Sequence, residues 1–175
     1  SHRYVHLLPF VFSVLLEQAE TWGVRAIRLV NEPLFTRREG FAGLVDLVSP
    51  NLAKWLVLGV LSRSYRRKLR NRGIDYPDRT LGVLYSGTMG TDVVERGLET
   101  ILRRPPAGGS EVEILFHPGP ADPQDEDCWR ERPRQSRFYY CSRRGAETAA
   151  LLSPELRRVA ESGTSPAAGA AGWET

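Results

Sequence analysis

The chain has 175 residues, of which 41% are hydrophobic and 26% are charged, a balance typical of a globular protein with its own core. Its formal net charge of +3 is too small to indicate binding of nucleic acid through overall charge, so we expect no nucleic-acid partner. The most apolar run, at 52–61, contains Lys54, and no run in the sequence is long enough to span a bilayer.

The first half of the sequence predicts a helix followed by a strand. Pro9 suits the first turn of a helix, apolar residues recur behind it at helical spacing, and Gly23 is a good stop. The stretch 24–30 alternates apolar with polar or small residues, which predicts a strand. The stretch 31–48 predicts a long loop with a short helix, a wall of a binding cleft. A strand after a helix, behind an extended first segment, indicates an α/β sheet or barrel.

A long helix is predicted next. Ser49 and Pro50 form a good helix start, and the helix should run to about Asn71 and stop at Gly73. Its first half is apolar almost all round, so we expect it to be buried. Its second half is basic, which either complements the negative end of the helix dipole or binds an anionic surface. The basic residues are Arg63, Arg66, Arg67, Lys68, Arg70 and Arg72.

The rest of the chain continues the alternation of strands and helices. Two strands are expected, at 81–85 and 111–117, and Asp92 is expected to cap the helix between them. The only cysteines, Cys128 and Cys141, make no disulfide framework, and we expect reduced thiols. The other predicted elements are helices at 93–104, 143–152 and 153–163, an exposed loop at 121–137 and a disordered tail at 163–175.

The three histidines are the candidates for chemistry. His2 and His6 share a face whether the first residues are extended or helical, and imidazole is the commonest protein ligand for divalent metals. Two donors do not make a metal site, however, and two surface histidines near a terminus are common. His117 closes the strand at 111–117, where a histidine that is simply hydrogen-bonded at a strand end is the more typical case. Spacing alone therefore favours surface histidines over a metal site, and a structural role for His117.

The ordered motifs around these histidines resemble the YdjC/ChbG family of carbohydrate deacetylases. Members typically read Asp-(Ser/Gly)-His-x-His-x-His-x-x-Pro where this chain reads Ser-His-Arg-Tyr-Val-His-Leu-Leu-Pro at 1–9. The resemblance covers residues 1–162 and is closest to the hopanoid-associated HpnK-like branch. The other matching segments are Arg-Ala-Ile-Arg-Leu at 25–29, Glu-Pro-Leu at 32–34, Tyr-Ser-Gly at 85–87, Phe-His-Pro-Gly at 116–119 and Leu-Leu-Ser-Pro at 151–154.

This resemblance implies a fold and a set of site residues. The fold would be a partial TIM-like (β/α) barrel of the polysaccharide-deacetylase-like type, with residues 1–162 as its C-terminal portion and the N-terminal strands missing. A divalent metal, Mg or Zn, would activate water, with most of its ligands outside this chain. His2 matches the metal-binding histidine, and His117 matches the histidine expected to act as general acid or to contact substrate. His6, Arg28 and Glu32 match positions expected to contact substrate, although a salt bridge at the surface or at a strand end would explain Arg28 and Glu32 as well.

The chain also departs from the family pattern. Tyr4 stands where members carry a second histidine, and Val30 and Asn31 replace a proline and an arginine. The aspartates and the other metal histidine of the family would lie before Ser1, so we expect an N-terminal part, with any targeting segment, to be missing. On that basis we expect these 175 residues alone neither to bind metal tightly nor to deacetylate.

The function implied is removal of an N-acetyl group from a GlcNAc-type oligosaccharide or from a glycolipid such as a hopanoid conjugate. The alternative is a degenerate, non-catalytic relative that binds an anionic partner through the basic helix at 63–72. We expect an N-acetylated carbohydrate or glycolipid as the partner and a cytoplasmic location. Peripheral contact with a membrane and a homodimer both stay open.

Overall fold

The structure, a computed structural model, describes residues 4–103, 111–119 and 142–163. Helices and a small parallel sheet make up these residues, which agrees with the predicted α/β class, whereas closure into a TIM-like barrel stays a prediction. The elements in chain order are a 3₁₀ turn (Val5–Leu7), α1 (Pro9–Gln18), α2 (Gly40–Leu47), α3 (Pro50–Arg70), β1 (Arg79–Leu81), α4 (Thr91–Leu102), β2 (Val112–Ile114), α5 (Ser142–Leu151) and α6 (Pro154–Gly163).

The sheet is extended by a third segment that lies beside β1. Strands β1 and β2 pair in parallel. The stretch 24–32 runs along the other side of β1, with a parallel bridge between Ala26 and Asp75. Further along, the backbone N–H of Asn31 donates to Oγ1 of Thr80 at 2.8 Å. The strand predicted at 24–30 is therefore extended, but it bridges at one position only. All three segments point the same way, so their carboxyl ends lie at one edge.

Two apolar clusters pack on this layer. The first joins α1 and α3, where the rings of Phe12 and Tyr65 stack with centroids 3.7 Å apart. The second joins β1 to α4, whose close approach depends on Gly97, because a Cβ there would lie 2.4 Å from Cδ1 of Leu81. The fully buried members of the two clusters include Leu7, Leu29, Leu69, Leu81, Val83, Met89 and Val93.

Helix α3 begins and ends as predicted, but its first half is not buried. Ser49 precedes the helix, and Gly73 follows it in a left-handed conformation with φ of 64°. The side chains of Leu56, Val57 and Val60 are 54%, 57% and 62% exposed, so the expectation of burial was wrong. A helix buries only the stripe that packs directly against its neighbours, and these positions lie outside that stripe.

Two other predicted boundaries shift. The strand expected at 81–85 ends at Leu81, because Gly82 turns the chain with φ of 116°. Helix α4 begins at Thr91, and Asp92 lies inside its first turn instead of capping it. Its carboxylate pairs with Arg37 at 2.5 Å. The short helix within 31–48 and the two C-terminal helices are confirmed as α2, α5 and α6.

Several predictions fall outside the described residues. His2, the loop at 121–137, both cysteines and the tail from 164 onward are among them. In the part of the chain that is described, no helix combines the length and the apolar character needed to cross a membrane.

Candidate active site

The candidate site lies where the three parallel segments end. Glu32 ends the first segment, Gly82 follows β1, and His117 lies three residues after β2. Because the segments are parallel, these residues reach the same edge of the layer. Active sites of α/β folds are built at the carboxyl ends of their strands, so a catalytic site is expected at this edge.

Glu32 holds the turn that follows β1. Its Oε1 accepts the backbone N–H of Gly82 at 2.7 Å, and its Oε2 accepts those of Val83 and Leu84 at 3.0 and 2.8 Å. A Cβ at Gly82 would lie 2.5 Å from the carbonyl oxygen of Leu115, so only glycine fits there. The carboxylate of Glu32 therefore orders the loop on the candidate site.

Burial also sets the charge of Glu32. The side chain is 6% exposed, and this desolvation raises the pKa of Glu32 to about 7. The three N–H groups and the nearby Lys54 act in the opposite direction without cancelling the effect of burial. A carboxyl group with such a pKa changes its charge near neutral pH.

His6 is fixed in one tautomer by the neighbouring segment. Its Nε2 lies 2.8 Å from the carbonyl oxygen of Arg28, which can only accept, so Nε2 carries the hydrogen. Nδ1 is then an acceptor, buried and without a hydrogen-bond partner among the described residues. Burial lowers the pKa of His6, so the ring is neutral at pH 7. His6 thus offers one buried lone pair.

An ion pair crosses the layer beside His6. The guanidinium of Arg28 binds the carboxylate of Glu113 on β2, with Nε donating to Oε1 at 2.5 Å. Tyr4 stacks on His6 with ring centroids 6.1 Å apart, and Nζ of Lys54 lies 5.3 Å from the centre of the Tyr4 ring. Burial raises the pKa of Tyr4, which keeps its phenol neutral. The surroundings of His6 therefore combine the Arg28–Glu113 ion pair with the neutral phenol of Tyr4 and the ammonium group of Lys54.

The second half of the site is organised by Glu147 on α5. Its Oε2 accepts the backbone N–H of His117 at 2.5 Å, and its Oε1 accepts that of Met89 at 3.3 Å. Nδ1 of the His117 ring lies 4.0 Å from the same Oε2. Glu147 is fully buried. Sequence reasoning missed this residue, although it is an isolated carboxylate three positions before the buried Ala150 on the same helix.

A cavity of about 630 Å³ opens beside this arrangement. That volume lies within the range of pockets that bind small molecules. Its wall combines the start of α3 with the loop that Glu32 and Glu147 hold at its two ends. The lining includes Asn51, Leu84, Tyr85, Thr88, Gly90 and Ala146. Mixed polar and apolar walls of this kind suit a sugar ring with an acyl substituent.

A match to a family model shows to which protein family this chain belongs. The model of the YdjC-like protein family covers residues 1–162. The chain belongs to the YdjC-like protein family. This is a carbohydrate deacetylase-type family. No curated protein and no solved structure matches the chain.

The YdjC-like chain brings some of the predicted site residues together. His6 contacts the backbone of Arg28, while Glu32 and His117 follow the two parallel segments that flank β1. Arg28 and Glu32 both have protein partners for their charged groups. Their roles toward substrate stay predictions, as does that of His117.

The motifs also predict a site for a divalent metal. Within residues 4–103, 111–119 and 142–163, no three His, Cys, Asp or Glu side chains are grouped so that they could hold a metal ion. Nδ1 of His6 is a suitable single donor, but the predicted ligand His2 lies outside these residues. The described side chains therefore do not make a metal site by themselves.

Proposed function

We propose that this YdjC-like protein is a hydrolase that removes the N-acetyl group from an N-acetylated sugar. The observation that carries the proposal is that the buried carboxylate of Glu147 connects His117 to the wall of the 630 Å³ cavity. Thr88 and Gly90 line the cavity, and the residue between them, Met89, shares the carboxylate of Glu147 with His117. A histidine that follows a parallel strand and is held to a cavity wall in this way suits proton transfer to a bound substrate.

Hydrolysis of an acetamide requires addition of water to the acetyl carbon, cleavage of the C–N bond and a proton for the departing amine. We assign the last step to His117, whose backbone is fixed by Glu147. His6 binds the backbone of Arg28, whose side chain pairs with Glu113, and Glu32 acts by ordering the loop at 82–84. The base that activates water is not among these residues and is expected from another part of the protein.

The finer parts of the proposal rest on the resemblance of the motifs. They are a TIM-like barrel, an HpnK-like substrate such as a glycolipid, and dependence on a divalent metal. The wider family resemblance supports chito-oligosaccharides equally well. If the substrate is a glycolipid, we also propose that the protein is cytoplasmic and contacts the membrane peripherally.

The test is acetate release by the complete gene product from an N-acetylated chito-oligosaccharide and from an N-acetylglucosaminyl glycolipid. We expect release from at least one of them, inhibition by a chelator, and no release by residues 1–175 alone. Absence of acetate release by the metal-supplemented complete gene product from both substrates would overturn the proposal. The non-catalytic alternative would then stand in its place.

A further inference from the structure

A second cavity lies on the flank of α3, where it meets the 24–32 segment. It has a volume of about 310 Å³. Trp55, Leu56 and Val60 supply apolar wall, and Arg63 and Arg66 supply two guanidinium groups from the next turns of the same helix. The carboxylate of Glu32, which also lines this cavity, accepts the backbone N–H groups of Gly82, Val83 and Leu84.

Positive charge is concentrated at the basic end of this cavity. Nε of Arg66 is buried and has no hydrogen-bond partner among the described residues. Burial lowers the pKa of Arg66. The nearby charges of Arg63, Arg79 and Arg70 lower it further, whereas Tyr76 acts in the opposite direction. No carboxylate in the described ranges forms an ion pair with any of these four arginines.

Burial of the Nε–H group of Arg66 without an acceptor costs free energy. A bound oxyanion that accepts this hydrogen would recover that free energy. Arginine is the side chain best suited to phosphate and carboxylate, because its planar group donates in a fixed fork. Apolar wall adjoins the arginines on the same helix. The preferred ligand therefore has an anionic head and an apolar body.

We propose that the cavity between α3 and the 24–32 segment binds an amphiphilic oxyanion, with its phosphate or carboxylate on Arg63 and Arg66 and its apolar part against Trp55, Leu56 and Val60. This cavity lies on the flank of α3 and shares no lining residue with the 630 Å³ cavity, although Glu32 lines it and also orders the loop of the candidate active site. It does not depend on deacetylase activity.

The test uses n-hexyl phosphate as the probe, with inorganic phosphate and n-hexanol as its two halves. Calorimetry on the complete gene product should show that hexyl phosphate binds about tenfold or more tightly than either half. Binding of the two phosphates with equal affinity would overturn the assignment of the apolar wall. Absence of hexyl phosphate binding would overturn the site itself.

Three variants locate the binding. Arg66→Gln should weaken binding of hexyl phosphate about tenfold, whereas Arg67→Gln should change it less than about twofold, because Arg67 is exposed on the same helix and does not line the cavity. Equal weakening by both variants would indicate general charge attraction and contradict the site.

Gly59→Leu blocks the cavity by a different route. Gly59 lines the cavity, and a Cβ at this position meets nothing within 4 Å, so the larger side chain can enter the open space. Leucine also favours the helix over glycine, so this variant should stay folded. It should abolish measurable hexyl phosphate binding while circular dichroism and thermal stability are maintained. Unchanged binding in Gly59→Leu would contradict the proposed position of the ligand.

Discussion

The carboxylate of Glu147 binds the backbone N–H of His117 at 2.5 Å, although the two residues are 30 positions apart in the chain. Helix α5 thereby fixes the end of the segment that follows β2. The other oxygen of the same carboxylate holds Met89 in the loop after β1. One buried side chain therefore sets the relative position of the proposed acid and the wall of the cavity.

Replacement of Glu147 should reveal this positioning role. Glu147→Gln keeps one acceptor oxygen but leaves a buried N–H without a good partner, which should lower the free energy of unfolding by about 2 kcal/mol. We expect kcat for acetate release to fall with little change in KM, because His117 is displaced while the cavity remains. Denaturant unfolding and steady-state kinetics measure the two effects.

Glu99→Gln is the matched control, since its carboxylate is 55% exposed and pairs only with surface arginines. It should change stability by less than about 1 kcal/mol. Equal effects of the two variants would contradict a special role for Glu147.

The stability of the protein should depend on pH through Glu32. Its pKa is about 7 in the folded protein, above the ordinary value of 4.5, so the folded state holds the proton more tightly than the unfolded state does. The stabilising contribution is complete below pH 4.5 and is lost as the pH rises through 7, by about 3 kcal/mol in total. Urea unfolding at a series of pH values should show that the wild-type protein loses stability relative to Glu32→Gln across this window. A constant difference between the two proteins would show that the three N–H groups keep Glu32 ionised throughout.

His6 should be neutral and protonated on Nε2 at pH 7. Its Nε2 donates to the carbonyl of Arg28, and burial lowers the pKa of His6 below 6.5. Nitrogen-15 NMR of labelled histidine should therefore show a protonated Nε2, an unprotonated Nδ1 and a titration midpoint below 6.5, with His6→Gln assigning the signal. The folded state resists protonation, so the contribution of His6 to stability is present above pH 6.5 and is lost as the pH falls below it. A midpoint above 6.5 would contradict the buried position of the ring.

Two glycines within helices should respond in opposite directions to alanine. Gly97→Ala places a methyl group 2.4 Å from Cδ1 of the buried Leu81, so it should destabilise the protein by about 1–3 kcal/mol. Gly59→Ala meets open space in the middle of α3 and should stabilise the protein by about 1 kcal/mol through helix propensity. Thermal unfolding of the two variants side by side checks the packing of α4 on β1. Stabilisation by both would show that α4 does not approach β1 this closely.

Local signals in the sequence predicted the local features of the fold. Ser49 and Pro50 marked the start of α3, and Gly73 marked its end, because these residues act on the backbone beside them. The exposure of Leu56 and Val60 was not predictable in the same way, since it depends on which side of α3 meets the sheet. Apolar residues all round a helix do not reveal that side.

The sequence predicted only part of the candidate site, because local patterns do not reveal contacts between distant segments. His6, Arg28, Glu32 and His117 were identified from the order of motifs, which requires no knowledge of contacts. The partners that fix them are distant in sequence: Glu113 binds Arg28 across 85 positions, and Glu32 binds the turn after β1 across 50. Such pairings follow from the parallel arrangement of segments, which no single stretch of sequence specifies.

The role of His117 as the acid is tested most directly by kcat for acetate release by the complete gene product with His117→Asn. Asparagine keeps the backbone N–H that Glu147 binds but cannot transfer a proton to the departing amine. We expect kcat to fall about 10²–10⁴-fold with a nearly unchanged KM and an intact fold. A kcat within about twofold of the wild-type value would show that His117 is not the acid, because loss of a general acid lowers the rate far more than that.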